Sequence, residues 1–218
     1  ASANPIVYQH ATPVFIDSEW STWNMDPKAL KIALDKYGDK VKAVIAVHLY
    51  GLLADIDQIL ALCDEYGVPV IEDAAESLGT TYDAYYYRAE GESKRRWHDT
   101  PKRLYAGTAS DVGCFSFNGN KIITTSGGGM LTGNNPDTAK EFCAKARFWA
   151  TQSREDTPWY QHEELGYNYR MSNVVAGVGR GQLKVLGRHI QAKKRIFEYY
   201  KQHLEVSGKA RMMPVPAG

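Results

Sequence analysis

Two spacings of hydrophobic residues alternate along the first eighty positions of this chain. The opening "TPVFID" is a short apolar run that predicts a strand. "DPKALKIALDKYG" repeats its apolar positions at helical spacing and closes at Gly38. "VKAVIAVHL" is apolar and β-branched throughout. "DIDQILALCDEYG" returns to the helical period, with Ile56, Ile59, Leu60 and Cys63 on one face. "VPVIED" follows as a second buried strand. Strands that are apolar on both faces, with a helix between them, predict a βαβ unit and a parallel sheet.

The pattern lapses after Tyr82. "DAYYYRAEGESKRRWHDTPKRLYA" carries a tyrosine cluster and then Lys94, Arg95, Arg96, Lys102 and Arg103. Its basic and aromatic mixture is of the kind that contacts nucleic acid. A solvated excursion from the core is the stronger reading, because the patch is short and Glu90, Glu92 and Asp99 dilute it. The strand pattern resumes in "SDVGCFSF" and again in "GGMLTG". "NPDTAKEFCAKARFWA" predicts a helix with Pro136 in its first turn and Asn134 or Asn135 as its cap. The stretch from Ser172 to Leu204 predicts one or two long helices. Leu183, Leu186, Ile190, Phe197 and Leu204 form a narrow stripe there, read as a face laid on a core rather than on a membrane.

Composition narrows the class. The 218 residues are 44% hydrophobic, enough to bury a core, and the formal net charge of +1 gives no case for nucleic acid or an anionic membrane. The longest apolar run, Ala43 to Ala54, is interrupted by His48 and is too short to span a bilayer. Three cysteines without CxxC spacing predict free thiols, and with no secretory pattern at the start the expected compartment is the cytoplasm. The chain opens without methionine and stops just after a long helical pattern, which predicts a piece of a longer protein.

The chemistry concentrates in "FSFNGNKIITTSGGGM". Lys121 sits between a strand and a glycine run, with Gly119 before it and Gly127, Gly128 and Gly129 after. Glycines of that kind let backbone come close to a ligand. Asp73 ends an apolar strand, where open α/β sheets place their ligands. Asp73-Ala-Ala-Glu76 also has the form of a capping box, and from that segment alone the cap is the preferred reading. A lysine amine and a strand-end carboxylate together form the pair that pyridoxal phosphate needs, one for its aldehyde and one for its ring nitrogen. Other templates fail: "SGGG" lacks the Gly-Lys-Ser/Thr of a phosphate loop, and "GVGRGQ" lies in a helical pattern without the third glycine of a dinucleotide site. The six histidines show no metal-ligand spacing, so no metal is expected.

"VPVIEDAAESLGTTY", "GCFSFNGNKIITTSGGGMLTG" and "YQHEELGYNYRMSNVVAGVGRGQL" together resemble the DegT/DnrJ/EryC1/StrS family of pyridoxal phosphate-dependent sugar aminotransferases. Around the lysine the sequence is most similar to the UDP-N-acetylbacillosamine type used in exopolysaccharide and glycan synthesis. The resemblance runs in order from Ala1 to about Leu204. It implies an α/β fold of the aspartate aminotransferase kind (fold type I), with a mostly parallel central sheet flanked by helices. It divides the chain into a large cofactor-binding domain over residues 1–186 and a helix over 187–218 that leads toward a C-terminal small domain.

By the same resemblance, Lys121 matches the lysine that bonds the cofactor, and Asp73 the acid that pairs with the pyridine nitrogen. Glu76 falls near the cofactor's phenolic oxygen and the substrate. Ser116 matches a phosphate-binding serine, and Asn168 an asparagine reaching the phosphate from a partner subunit, which implies a homodimer with shared sites. Arg170 is matched to the nucleotide diphosphate. The implied reaction passes an amino group from glutamate to the C4 ketone of a UDP-linked 4-keto-6-deoxy sugar. A sugar dehydratase of the same superfamily is the first rival, against which Lys121 argues, because those enzymes replace the lysine. A non-catalytic fragment or binding module is the second. The segment 83–106 is a departure, much longer than the family's usual turn before Gly107-Thr108, and the family's phosphate-binding N-terminal turn is missing before Ala1.

Overall fold

The computed structural model describes residues 1–208 and 210–215. Among the described residues there are six helices of five or more residues and six strands. The first helix, α1, is Asn4–Tyr8. It leads into α2 (Pro27–Tyr37), β1 (Val44–Val47), α3 (Ile56–Glu65) and β2 (Val70–Asp73). Next come β3 (Thr81–Tyr87), β4 (Arg96–Tyr105), β5 (Val112–Ser116) and β6 (Gly129–Gly133). The chain then runs through α4 (Ala139–Ala150), α5 (Asn173–Leu183) and α6 (Leu186–Leu204).

Local chemistry explains the predicted helices. Asp26 caps α2 by accepting from the Lys28 amide at 2.9 Å, Pro27 supplies a first-turn φ, and Gly38 ends the helix at φ +52. Asp55 caps α3 through the Gln58 amide at 3.3 Å. The predicted face of α3 is buried against the sheet: Ile56, Ile59, Leu60 and Cys63 are all 2% exposed or less. Each of the three large aliphatic side chains contributes about 1.5–3 kcal/mol by leaving water.

The sheet has the order β1-β2-β5-β6. β1, β2 and β5 are parallel, and β6 returns antiparallel on β5. The parallel βαβ unit is therefore as expected. The core lies between this sheet, α2 and α3, and includes Leu30, Leu34, Val44 and Val70.

Three expectations are corrected. "TPVFID" forms no strand. Pro13 has no amide to donate, Phe15 is 80% exposed, and the segment ends in a turn closed by the Ser18–Met25 bridge instead of a ladder. α4 begins at Ala139, later than its sequence suggests, with Thr138 at the cap position and no side-chain cap bond. Asn135 instead accepts from the Asp137 amide at 3.0 Å, and Asn134 donates to the Gly107 carbonyl at 3.0 Å, so both asparagines are engaged in the turn that precedes the helix. The capping box at Asp73 has no helix to cap, because residues 74–80 run as consecutive turns.

The excursion 83–106 is a β3–β4 hairpin, and it is only partly solvated. Ala84 and Tyr86 are buried against α3. Arg95, whose side chain is 5% exposed, is clamped by both oxygens of Asp64 at 2.6 and 2.9 Å and by Asp111 at 3.3 Å. Burial would lower the Arg95 guanidinium, but the two carboxylates outweigh it and hold it above its ordinary value. The C-terminal stripe divides between α5 and α6. Ile190 and Leu186 pack over Gly79, whereas Leu183 and Leu204 are 46% and 42% exposed.

Candidate active site

Asp73 stands at the carboxyl end of β2, opposite Cys114 of β5. Register-paired residues of parallel strands point to one face, and alternate residues along a strand share it, so Asp73, Cys114 and Ser116 lie on the same face of the sheet. The Asp73 carboxylate accepts from the Ala75 amide at 3.2 Å and from the Ser2 hydroxyl at 2.6 Å. Ser116 ends β5, and its hydroxyl oxygen accepts from the Asn118 amide at 3.3 Å. Burial and the neighbouring Asp73 charge push the Cys114 thiol up.

Lys121 follows in the turn after β5, its amide bonded to the Asn118 carbonyl at 3.1 Å. Its ammonium lies 3.4 Å from Glu76, with the lysine side chain 16% exposed. Glu76 does not return to the Asp73 amide as a capping box would. Its second oxygen accepts from the Tyr50 amide at 2.9 Å. Tyr50 has φ +54 and Gly51 φ +87, so the turn after β1 is bent to present that amide, and Gly51 is required where a side chain would meet the Glu76 carbonyl at 3.1 Å.

The glycines around Lys121 divide by role. A Cβ at Gly129 would strike the Phe115 carbonyl, and one at Gly128 would come within 2.8 Å of Met171. Gly129 permits close approach of backbone and Gly128 that of the Met171 side chain. Cβ positions at Gly119 and Gly127 meet nothing within 4 Å, so those two are not required by packing. Lys121 and Glu76 line a cleft of about 1750 Å³, shared with Tyr50, Arg103, Ile190 and Phe197. Asp73 and Ser116 lie outside its lining.

Asn168 and Arg170 are exposed on a segment held to the end of α4, with the Tyr169 and Arg170 amides bonded to the Ala150 carbonyl at 3.0 and 3.2 Å. Among the described residues neither side chain hydrogen-bonds to Asp73, Glu76, Ser116 or Lys121. The structure thus joins Lys121 to Glu76 directly, sets Asp73 and Ser116 on one sheet face, and leaves Asn168 and Arg170 facing outward.

A buried network escaped the sequence reading. Glu72, fully buried, accepts from the Gly107, Ala109 and Ser110 amides at 2.8, 2.9 and 2.8 Å and from His48 Nε2 at 2.9 Å. His48 Nδ1 accepts from the Ala54 amide at 3.2 Å, so the ring proton sits on Nε2. Burial alone would raise the Glu72 carboxyl, but His48 and the amides outweigh it and hold it below the usual carboxylate range. The turns that frame the site, 48–54 and 107–110, are both fastened to this residue. The sequence signal was a charged residue inside an apolar strand next to Asp73. Among the described residues no cluster of ligating side chains could hold a metal, and no helix is long and apolar enough to cross a membrane.

A largely parallel α/β sheet with an acid at a strand end, followed by a lysine that lines an open cleft, has the scaffold of the fold-type-I transferases. The chain belongs to the DegT/DnrJ/EryC1/StrS aminotransferase family, whose model matches residues 1–217. It is 52% identical over 98% of its length to EpsN of Bacillus subtilis (strain 168), whose name places it among pyridoxal phosphate-dependent aminotransferases; that alignment covers 50% of EpsN. It is 36% identical to the GDP-perosamine synthase of Caulobacter vibrioides over 98% of this chain and 51% of that one. Among solved structures, aminotransferase TlmJ from Streptoalloteichus hindustanus matches with TM-score 0.79 and 30% identity, over 100% of this chain and 52% of TlmJ. The chain thus spans about half the length of the relatives it matches. The cofactor of this family is pyridoxal phosphate.

Proposed function

We propose that this chain is the cofactor-binding part of a nucleotide-sugar aminotransferase, with residues 187–218 leading toward a further small domain. The Lys121–Glu76 pair lining an open cleft carries the reading: an ammonium 3.4 Å from a carboxylate, with the lysine side chain 16% exposed. The residues present fit pyridoxal phosphate, which when bound supplies an aldehyde for amine exchange and an electron-withdrawing ring. Asp73 would face the ring nitrogen from the end of β2. Ser116, on the same sheet face, would donate its hydroxyl to the phosphate. Lys121 would hold the aldehyde and then carry a proton on Nζ, with Glu76 orienting its ammonium. Glu76 in turn is fixed by the Tyr50 amide.

The outward-facing Asn168 and Arg170 suit residues that serve the site of a second copy and the substrate's diphosphate, which makes a homodimer the assembly proposed. The sequence "FNGNKIITTSGGGM" supports a UDP-linked 4-keto-6-deoxy sugar as acceptor and glutamate as donor, in a cytoplasmic enzyme of polysaccharide synthesis. The direct test adds pyridoxal phosphate, reduces with borohydride and maps the labelled peptide by mass spectrometry. A pyridoxyl group on Lys121 is expected, and labelling confined to surface lysines refutes the reading.

A further inference from the structure

Asp73 is restrained more than its place at the end of a strand requires. Its carbonyl accepts from the His48 amide at 3.1 Å, which fixes the backbone and leaves the side chain free to rotate. Two donors then hold the carboxylate, one on each oxygen. The Ala75 amide, on Oδ1 at 3.2 Å, lies two residues away and moves with the same turn. The Ser2 hydroxyl, on Oδ2 at 2.6 Å, comes from 71 residues away, in the turn before α1 that the Asn4 amide closes on the Ala1 carbonyl at 3.0 Å. Ser2 therefore ties the carboxylate to a part of the chain that does not follow Asp73 when its own turn shifts.

A carboxylate offers roughly four lone-pair directions. With one on each oxygen taken, rotation about the terminal torsion is set, and so are the directions left for a third donor. Terminal torsions of this type are otherwise broad.

We propose that Ser2 is a positioning residue for Asp73: its hydroxyl fixes the rotation of the carboxylate and so aims a free lone pair at the ring nitrogen of the cofactor. The inference rests on the reading of Asp73 as the partner of that nitrogen. Ser2 needs no bond to Lys121, because it acts through the acid. Its hydroxyl is partly buried and hydrogen-bonds across the fold, so replacing it removes one donor and little packing.

The test compares the wild-type chain with Ser2→Ala, Ser2→Thr, Asp73→Asn and the Ser2→Ala/Asp73→Asn pair. Pyridoxal phosphate is titrated in, with the visible band of the bound cofactor giving both the dissociation constant and the pH at which the band shifts. Loss of a hydrogen bond to a charged group predicts about tenfold weaker binding and a displaced pH midpoint in Ser2→Ala. Ser2→Thr, which keeps the hydroxyl, should stay close to wild type on both readouts. In the Asp73→Asn background Ser2→Ala should add nothing beyond about twofold, since the two residues act as one unit. A Ser2→Ala protein that matches wild type while Asp73→Asn loses the cofactor overturns the role of Ser2 and leaves Asp73 standing. An Asp73→Asn protein that matches wild type removes the reading of the acid, and the proposal with it. Additive losses in the pair also overturn it, as does a wild-type chain that shows no bound-cofactor band.

Discussion

Replacing Glu72 with glutamine exchanges one carboxylate oxygen in the interior for an NH₂ and tests whether the turns around the site hang on a buried anion. Four donors converge on the carboxylate: His48 Nε2 and the Gly107 amide on Oε2, the Ala109 and Ser110 amides on Oε1. Glutamine keeps one acceptor oxygen and turns an NH₂ toward two of those donors. Each buried donor left without an acceptor costs about 1–3 kcal/mol, so two give roughly 2–6 kcal/mol. The expected loss is therefore about 3–5 kcal/mol, a large share of the roughly 5–15 kcal/mol of an ordinary domain. Urea unfolding at neutral pH measures it, as a lower midpoint with the slope unchanged. The pH dependence has a definite sign. Because the folded Glu72 carboxyl lies below its usual range, its contribution is present above the unfolded value near about 4.3 and is lost as pH falls through the folded value. The gap between wild type and Glu72→Gln should narrow in acid. A difference under about 0.5 kcal/mol at neutral pH, or a gap that does not shrink on acidification, refutes the reasoning.

Arg95→Ala should leave Asp64 and Asp111 facing each other without their cation and free the hairpin from α3. Its cost is about 3 kcal/mol or more, and hydrogen exchange should speed up selectively over β3 and β4. Unchanged exchange there would refute this and show that burial of Ala84 and Tyr86, with the Tyr85 amide on Asp57 at 2.6 Å, holds the hairpin without Arg95. Cys63 is buried, and burial pushes its thiol up to about 12. Iodoacetamide at mildly alkaline pH should leave Cys63 unmodified in the folded chain and alkylate it in urea, read by peptide mass spectrometry; modification of the native chain would contradict its burial.

The elements that could be read from the sequence are those whose signals are local. Asp26, Pro27 and Gly38 mark α2 at both ends, and the apolar face of α3 is written at helical spacing. The parallel pairing of β1 with β2 follows from strands apolar on both faces with a helix between. What failed depended on partners far along the chain. "TPVFID" has strand-like residues, but a strand exists only where a neighbour pairs with it. Asn134 and Asn135 look like caps until Gly107, 27 residues upstream of Asn134, takes one of their side chains. The hairpin looked solvated because its anchoring charge, Arg95, meets carboxylates 31 and 16 positions away.

The candidate site divides the same way. Residue types determined that Lys121 and Asp73 were of interest, since an amine among glycines and an acid after an apolar strand are chemical signals in their own right. From their own segment Asp73 and Glu76 read more readily as a helix cap than as a ligand site, because both readings use the same side chains at the same spacing and caps are common. Only the tertiary structure removed the cap. The chain after β2 turns instead of winding, the Tyr50 amide takes one oxygen of Glu76, and Lys121 reaches the other. Hydrogen bonds and ion pairs act only over a few ångströms, and the fold alone brings together atoms separated by 26, 45 and 71 residues.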